Sequence, residues 1–165
     1  IMFLAEKGWI SGYLDGTYKP NKPITRAQAA KIISNFLGLT PTNENISFSD
    51  VDQNHWAFVV VNLVAQHKIM NGIGDGRFAP NATITRAQMA QILYNAGFYS
   101  QSINNQINSF SDVDNNHWAY VAIETMKQEG ILNGYADGRF GPNDSVSRAQ
   151  IAAIIYRLYE KGLSK

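Results

Sequence analysis

The stretch I-T-R-A-Q at residues 24–28 recurs unchanged at residues 84–88 and returns as V-S-R-A-Q at residues 146–150. Each copy follows an Asp-Gly pair, an aromatic residue and a Pro-Asn pair, which are Asp15-Gly16, Tyr18 and Pro20-Asn21, then Asp75-Gly76, Phe78 and Pro80-Asn81, then Asp137-Gly138, Phe140 and Pro142-Asn143. The arginines at positions 26, 86 and 148 are therefore 60 and 62 residues apart. This period indicates three repeats, and one such unit rarely buries its apolar face alone. We therefore expect function to lie between repeats.

Each copy also carries the signals of a helix start. The hydroxyl of Thr25, Thr85 or Ser147 can accept the N3 amide while the Gln three residues later reaches back, which is a capping box. Apolar residues lie before each cap and at the fourth helical position, as a hydrophobic staple requires: Ile24 with Ala29, Ile84 with Met89, and Val146 with Ile151. The pattern predicts helices that begin with Arg26, Arg86 and Arg148 at N1.

Composition limits the classes of protein. With 165 residues, 45% of them hydrophobic, the chain suits one compact domain or a short array. A formal charge of +1 does not provide the excess of basic residues that is typical of nucleic-acid-binding proteins. No apolar run approaches the roughly 20 residues of a membrane span, and none resembles a signal peptide. The absence of cysteine excludes disulfides and thiolate metal sites, which fits a cytosolic protein or a Gram-positive surface protein.

The repeats also share a lead-in. F-S-D-V-D precedes H-W-A at residues 48–57 and again at residues 110–119, whereas the first copy has no such phrase. We therefore expect the chain to begin inside the first helix of its first repeat, short of about one or two turns. The predicted repeats are residues 1–39, 48–99 and 110–165, separated by polar linkers at residues 40–47 and 100–109.

Each repeat is predicted to form a helix, a loop and a second helix, which makes the protein all-α. Apolar residues at helical spacing mark the first helices, from Trp56 to Val64 and from Trp118 to Met126. Gly8 and Gly130 lie where a C-terminal cap falls, and Lys68 takes that place in the middle copy. Trp56 and Trp118 open their helices in this interpretation, either as core plugs or as platforms for a sugar.

The arginines are the leading candidates for ligand binding. A cation at N1 faces the positive end of the helix dipole, which is unfavourable by about 0.3 to 1 kcal/mol when exposed. A bound anion would reverse the sign, because free backbone N–H groups and a guanidinium would converge on it. The structural alternative is that each arginine pairs with Asp15, Asp75 or Asp137 and ties a loop to a helix.

Other residues give weaker signals. Tyr13 and Tyr135 are candidates for stacking on a sugar or for core packing, whereas core packing is favoured for Tyr18, Phe78 and Phe140. His55 and His117 lack the partners of a metal site, and the calcium-like stretch from Asp50 lacks its glycine and its final glutamate. No paired carboxylates or nucleophile elbow form a catalytic constellation. The sequence predicts no cofactor, no metal and no enzyme activity.

Taken together, F-S-D-V, H-W-A, N-G-Y-x-D-G-x-F-x-P-N and T-R-A-Q closely resemble the surface-layer homology repeat, over nearly all of the chain. The resemblance implies a pseudo-threefold helical domain of three repeats around a central helix bundle. It also implies an extracellular module that anchors bacterial surface proteins to secondary cell wall polysaccharide, whose typical ligands carry pyruvate ketals on N-acetylmannosamine. Peptidoglycan and other copies of the chain are further contacts to consider.

The resemblance implies grooves between neighbouring repeats. The family's T-R-A-E arginine corresponds to Arg26, Arg86 and Arg148, and the expected groove walls are Asp15, Gly16, Asp75, Gly76, Asp137, Gly138, Trp56 and Trp118. Gln28, Gln88 and Gln150 replace the family's usual Glu, which keeps the capping box and removes three negative charges. The missing lead-in of the first repeat puts in doubt the groove that would use its tryptophan.

Three functions follow from these expectations. The first is a non-catalytic anchor that binds pyruvylated wall polysaccharide, and loss of all three arginines is expected to abolish wall binding without unfolding the domain. The alternative is a self-assembling structural module of a surface layer whose repeats contact other copies. The third, a wall hydrolase, lacks the paired carboxylates that glycoside hydrolysis requires.

Overall fold

The computed structural model describes residues 1–100 and 108–163. Within them the chain forms six α-helices: α1 (Met2–Glu6), α2 (Arg26–Leu37), α3 (Phe58–Gln66), α4 (Arg86–Asn95), α5 (Tyr120–Gln128) and α6 (Arg148–Glu160). The described residues contain isolated β-bridges but no named strand, so the predicted all-α class is confirmed. Most of the predicted second linker, residues 101–107, and the final residues 164–165 lie outside the described residues.

The second helix of each repeat begins where the capping boxes predict. The Thr25 hydroxyl accepts from the Gln28 amide at 3.3 Å, and the Gln28 side chain accepts from the Thr25 amide at 3.2 Å. Equivalent reciprocal pairs cap α4 and α6. The six predicted staple residues are all buried. The three arginines therefore occupy N1, as predicted.

The first helices begin later than predicted. α3 starts at Phe58 and α5 at Tyr120, so each tryptophan precedes its helix instead of opening it. The reason is a turn built by the lead-in: the Asp52 carboxylate accepts from the Asn54 amide, and Nδ1 of His55 accepts from the Ala57 amide at 3.1 Å. This turn leaves Trp56 outside the helical register that buries Val61 and Val64.

The helix ends match the sequence-based prediction. Gly8 and Gly130 adopt positive φ values of 73° and 67°, and Lys68 adopts 57° at the matching place after α3. Glycine tolerates this left-handed conformation, whereas a residue with a Cβ atom pays a steric cost there. Lys68 is therefore a strained position that the other two repeats avoid.

The three repeats are joined by a closed ring of backbone hydrogen bonds. The Ile24 amide donates to the Val146 carbonyl, the Val146 amide to the Ile84 carbonyl, and the Ile84 amide back to the Ile24 carbonyl, at 2.9 to 3.1 Å. Because every member of the ring belongs to a different repeat, each repeat contacts both others. All three ring residues are buried.

Helix packing also crosses the repeat boundaries. α2 of the first repeat packs on α3 of the second, and α4 of the second packs on α5 of the third. Phe3 of α1 in turn packs on Tyr159 of α6, with ring centroids 4.9 Å apart. Phe78 and Phe140 are fully buried and Tyr18 is half-buried against the same core, which confirms their predicted core role. One continuous apolar core therefore serves all three repeats.

The first linker lies along α3. The Gln66 side chain accepts from the Thr42 amide at 3.1 Å and donates to the Glu44 carbonyl at 2.7 Å. Residues 40–45 are exposed, which agrees with the predicted polar, solvated character of this segment.

Candidate functional site: three grooves between repeats

The arginine of each helix start connects two repeats. Arg26 Nε donates to the Phe78 carbonyl at 2.8 Å, and its Nη2 donates to the Asn71 carbonyl at 2.6 Å. Arg86 makes the same two contacts with the carbonyls of Phe140 and Asn133. The arginine of each of these repeats thus binds the loop of the repeat that follows.

Arg148 completes the cycle by returning to the first repeat. Its Nε donates to the Tyr18 carbonyl at 2.7 Å and its Nη2 to the Ser11 carbonyl at 2.6 Å. The Tyr18 hydroxyl in turn donates to the Arg148 carbonyl at 2.8 Å. All three guanidinium groups therefore donate to backbone carbonyls at matching positions of a neighbouring repeat.

The guanidinium groups are held in largely desolvated positions. Arg26 and Arg148 are only 7% and 6% exposed, and the Arg26 guanidinium lies 4.6 Å from the Phe78 ring centroid, within the range of a cation–π contact. Burial lowers the pKa of Arg26, while the nearby Asp50 carboxylate acts in the opposite direction. Burial lowers the pKa of Arg86 as well. Arginine remains charged throughout the usual pH range.

The structure corrects the predicted chemistry of the helix starts. The Arg26 amide donates to the Ala82 carbonyl, the Ala27 amide to the Pro80 carbonyl, and the Gln28 amide to the Thr25 hydroxyl. The corresponding amides of α4 and α6 are used in the same way. These N–H groups are not free to bind an anion, so that part of the prediction is wrong. The acceptors of the first two amides belong to another repeat, so the sequence carries no sign of them, whereas the third bond is the predicted capping box.

The alternative prediction, that each arginine pairs with an aspartate of an Asp-Gly turn, names the wrong partners. Asp15 pairs with Lys19 at 2.7 Å, and Asp137 pairs with Arg139 at 2.9 Å, so neither ties a helix-start arginine to its loop. The hydrogen bond from Lys19 holds the pKa of Asp15 below its usual range. The arginines do tie loops to helices, but through backbone carbonyl groups of neighbouring repeats.

Three grooves lie beside the three arginines. The first groove has a volume of about 900 Å³ and is lined by Trp9, Ser11, Tyr13, Gln28, Lys31, Asn35, Trp56 and Arg148. The second groove, about 160 Å³, is lined by Arg26, Met70, Asn71, Gln88, Gln91, Asn95 and Trp118. The third groove, about 240 Å³, is lined by Arg86, Leu132, Asn133, Tyr135, Gln150 and Arg157.

Each groove combines parts of the chain that are distant in sequence. The second groove joins Arg26 of the first repeat, Asn71 and α4 of the second, and Trp118 of the third. The first groove joins Arg148, the loop of the first repeat and Trp56 in the same way. The structure thus brings an arginine and a tryptophan together in two grooves, while no tryptophan is among the described lining residues of the third.

The tryptophans are solvent-facing. Trp56 is 59% exposed and Trp118 is 62% exposed, which rules out the interpretation as core plugs. The ring of His55 stacks on Trp56 with centroids 5.8 Å apart, and His117 stacks on Trp118 in the same way. Each tryptophan is therefore a supported, exposed aromatic surface at the edge of a groove.

The six Asp-Gly residues lie elsewhere. Asp15, Gly16, Asp75, Gly76, Asp137 and Gly138 are exposed and are not among the described lining residues of the three grooves. They form the turns that lead to the arginine-binding carbonyls: Gly16, Gly76 and Gly138 adopt φ values of 77°, 68° and 86°. A direct role of these six residues in ligand binding stays a prediction.

The lead-in aspartates position the same loops. The Asp50 carboxylate accepts from the Phe78 and Ala79 amides at 2.8 Å, and Asp112 accepts from the Phe140 and Gly141 amides. Partial burial acts to raise the pKa of Asp50, but the amide donors outweigh it and the net shift is downward. The sequence singled out this phrase only as a lead-in. The F-S-D-V-D segment and the Asp-Gly turn occur together in the second and third repeats, and this could have indicated that they interact.

Sequence reasoning also missed the groove floor. Gln28, Lys31, Ile32 and Asn35 face the first groove from one side of α2, at the i, i+3, i+4 and i+7 spacing of a helix face. The matching faces of α4 and α6 carry Gln88, Gln91, Ile92 and Asn95, and Gln150, Ala153, Ile154 and Arg157. Polar residues at this spacing were the signal that could have identified the floor.

The described lining residues of the grooves are either uncharged or basic. No aspartate or glutamate is among the described residues that line them, whereas each contains an arginine at its inter-repeat edge. The first groove adds Lys31 and the third adds Arg157. A cation in a partly desolvated groove whose described lining residues include no carboxylate favours an anionic group.

These features define a helical three-repeat module with polar, cationic grooves at the junctions between repeats. The model of the S-layer homology domain matches residues 1–30, 47–90 and 109–152, which is most of the sequence. The chain therefore belongs to the S-layer homology domain family and carries three tandem repeats of it.

Several curated proteins are similar to this chain. A cellulosome-anchoring protein of Acetivibrio thermocellus is 35% identical over 93% of this chain and 36% of its own length. S-layer protein EA1 of Bacillus anthracis is 35% identical over 94% of the chain and 18% of its own length. An amylopullulanase of Thermoanaerobacterium thermosulfurigenes is 32% identical over 98% of the chain and 9% of its own length.

The chain thus spans about a third or less of the length of these relatives. Membership of the family, together with relatives that are S-layer and surface-anchoring proteins, indicates an extracellular location at the cell wall or S-layer. Among the described residues, no helix has the length and apolar character needed to cross a membrane.

Proposed function

We propose that this chain is a non-catalytic, carbohydrate-binding module that anchors a surface protein to the bacterial cell wall. Its ligand is secondary cell wall polysaccharide carrying pyruvylated N-acetylmannosamine, which binds in the grooves between repeats. The observation that carries the proposal is the recurrence of an arginine at the junction of two repeats, in a groove whose described lining residues include no aspartate or glutamate.

The arginine supplies the contact with the ketal carboxylate. The hydrogen bonds to the neighbouring loop use Nε and Nη2, and no partner for Nη1 is seen among the described residues. Because the loop carbonyls fix the guanidinium plane, the remaining N–H groups are held in place before the ligand arrives. A fixed donor loses less entropy on binding than a free side chain does.

The tryptophans supply the contact with the sugar. Trp56 and Trp118 each present an exposed ring at the edge of a groove that also contains an arginine. An aromatic face can cover the apolar face of a pyranose while nearby polar groups bind its substituents. Gln28 and Asn35 in the first groove, and Gln88 and Asn95 in the second, are the polar partners of this kind.

The three repeats, at residues 1–39, 48–99 and 110–165, are proposed to form a pseudo-threefold arrangement around a central helix bundle. The ring of hydrogen bonds among Ile24, Ile84 and Val146 supports this arrangement, since each bond has the same donor and acceptor groups. The cyclic pattern of arginine contacts supports it independently.

Binding without catalysis agrees with the chemistry of the lining residues. Glycoside hydrolysis needs two carboxyl groups about 5 to 10 Å apart, and the described lining residues of the grooves include none. Gln28, Gln88 and Gln150 stand in the capping-box positions, where they stabilise helix starts without adding a proton donor.

A nuclear magnetic resonance titration tests this function. We expect a pyruvylated N-acetylmannosamine fragment to shift the indole N–H signals of Trp56 and Trp118, because both rings lie beside an arginine. The same fragment without pyruvate should shift them far less. Equal shifts by both fragments would show that the carboxylate is not what the grooves bind.

Self-assembly is a second candidate function, favoured by apolar residues on the outer surface. Val59 and Val121 are exposed one turn beyond the exposed Trp56 and Trp118. Contact between such faces on two copies would bury apolar area. Static light scattering at rising protein concentration, without polysaccharide, distinguishes the two: an anchor keeps a constant mass, whereas a self-assembling module grows.

A further inference from the structure

The first groove adjoins a cluster of three cationic groups, of which Lys19 and Lys22 lie beyond its described lining residues. The matching Tyr135 ring of the third repeat has two, Arg86 and Arg139. Around the ring of Tyr13, the Lys19 ammonium lies 4.5 Å, the Lys22 ammonium 5.2 Å and the Arg148 guanidinium carbon 4.8 Å from the centroid. Tyr13 and Arg148 both line the groove. Asp15 pairs with Lys19 and neutralises one charge, so the cluster keeps a net excess of positive charge.

The tyrosine in this cluster carries a hydroxyl group for which the described residues provide no hydrogen bond partner. The Tyr13 hydroxyl oxygen is buried and has no partner among the described residues. The matching hydroxyl of Tyr135 donates to the Asp144 carboxylate at 2.9 Å. Buried polar groups normally have a partner, and the partner in the third repeat is an anionic oxygen. The Tyr13 hydroxyl is therefore an O–H donor without the acceptor that its counterpart has.

The repeats themselves provide a comparison. The positions of Lys19 and Lys22 are occupied by Ala79 and Ala82 in the second repeat and by Gly141 and Asp144 in the third. In the third repeat a carboxylate of the protein satisfies the tyrosine, whereas in the first repeat a lysine takes the place of that carboxylate. None of the described residues supplies this acceptor in the first repeat, which leaves the position open to an acceptor group of a bound ligand.

We propose that the first groove has a second anion subsite, formed by Tyr13, Lys19 and Lys22 beside Arg148. This inference rests on the proposed function and adds that the ligand of this groove carries two acidic groups. The ketal carboxylate binds at Arg148, and a second acidic group of the polysaccharide accepts from the Tyr13 hydroxyl and the two ammonium groups. That group is a phosphate or a second carboxylate, which share the same acceptor chemistry.

The groove has room for this larger segment. Its volume of about 900 Å³ exceeds the roughly 160 and 240 Å³ of the other two grooves. The two lysine side chains over the Tyr13 ring have flexible four-carbon stems. Both lysines are exposed and can follow the bound anion.

The test uses the whole chain and two small probes, glycerol 3-phosphate and glycerate, at constant ionic strength. Amide shifts of Tyr13 are compared with those of Ile73 and Tyr135 at the matching places. The test variant replaces Lys19 and Lys22 with Ala, and the control variant replaces the exposed Lys127 and Lys161, so that the net charge changes equally. We expect shifts concentrated at Tyr13, and binding about three- to tenfold weaker in the test variant only, as the loss of two exposed ion contacts implies.

The tighter of the two probes identifies the acidic group. Shifts of equal size at all three loops, or equal affinity of the test variant and the control variant, would overturn the second subsite. Wall binding provides the separate check on the proposed function. If the test variant still binds wall in a pyruvate-dependent way while the probes ignore Lys19 and Lys22, the second subsite fails and the anchor stands. If wall binding ignores pyruvate, the proposed function fails whatever the probes show.

Discussion

Replacement of Arg26 with Ala tests the interpretation of the arginines as clamps between repeats. The substitution removes two charge-assisted hydrogen bonds to the Phe78 and Asn71 carbonyls and the stacking on the Phe78 ring. Each such hydrogen bond contributes about 1.5 kcal/mol or more, and the cation–π contact about 1 kcal/mol. Because Asn71 is exposed and water can replace the arginine at its carbonyl, we expect a loss of about 3 kcal/mol.

Urea unfolding followed by circular dichroism measures this loss. Replacement of Arg77 with Ala is the control, because Arg77 is exposed and its charge acts on the Asp50 carboxylate only at the surface of the same loop. The control should change the free energy of unfolding by less than about 0.5 kcal/mol. If the two variants unfold at the same urea concentration, the clamp interpretation is wrong.

The clamp role of the arginines changes one expectation from the sequence. Loss of all three arginines was expected to leave the fold intact, but three losses of about 3 kcal/mol approach the total stability of a typical domain. We now expect the triple Ala variant to be unfolded or nearly so. Replacement with Lys, which keeps the charge and part of the contacts, is the better variant for binding experiments.

Three further predictions concern single sites. Replacement of Trp118 with Ala should leave the urea midpoint nearly unchanged, because the ring is 62% exposed, and should weaken binding of the pyruvylated fragment about tenfold by calorimetry. Replacement of Lys68 with Gly should raise the free energy of unfolding by about 1 kcal/mol in urea titrations, since Lys68 has a φ of 57°; no gain would show that the residue is unstrained. Replacement of Asp112 with Asn should make the free energy of unfolding fall less steeply in acid. Burial acts to raise the pKa of Asp112 in the folded state, but the amide donors outweigh it and the net shift is downward. The carboxylate therefore stabilises the fold above about pH 4, and this stabilisation is lost as the pH falls through the lowered pKa. Equal acid sensitivity of variant and parent, measured by thermal unfolding between about pH 2 and 6, would contradict this.

Local features of the fold were predictable from the sequence. The capping boxes located the starts of α2, α4 and α6 because Thr25, Thr85 and Ser147 interact with residues only three positions away. Gly8 and Gly130 marked helix ends for the same reason. The starts of α3 and α5 were misplaced by two residues, because apolar spacing cannot separate a tryptophan in the preceding turn from one in the helix.

The partners of the arginines were not predictable, because they are far away along the chain. Arg26 binds carbonyls 45 and 52 residues away, and Arg148 binds carbonyls 137 and 130 residues away. Backbone acceptors carry no residue-type signature, so neither composition nor spacing reveals them. For the same reason, the sequence did not reveal the acceptors of the amide groups at the helix starts. Backbone carbonyls of neighbouring loops accept from these amides, which were predicted to be free.

The most direct measurement is cosedimentation of the chain with purified cell wall, with wall stripped of its attached polysaccharide, and with wall stripped only of pyruvate. A fluorescent label reports the bound fraction. Binding to intact wall that is lost after either treatment is the predicted result. Binding that survives both treatments would contradict the proposal, since the grooves would then not depend on the ketal carboxylate.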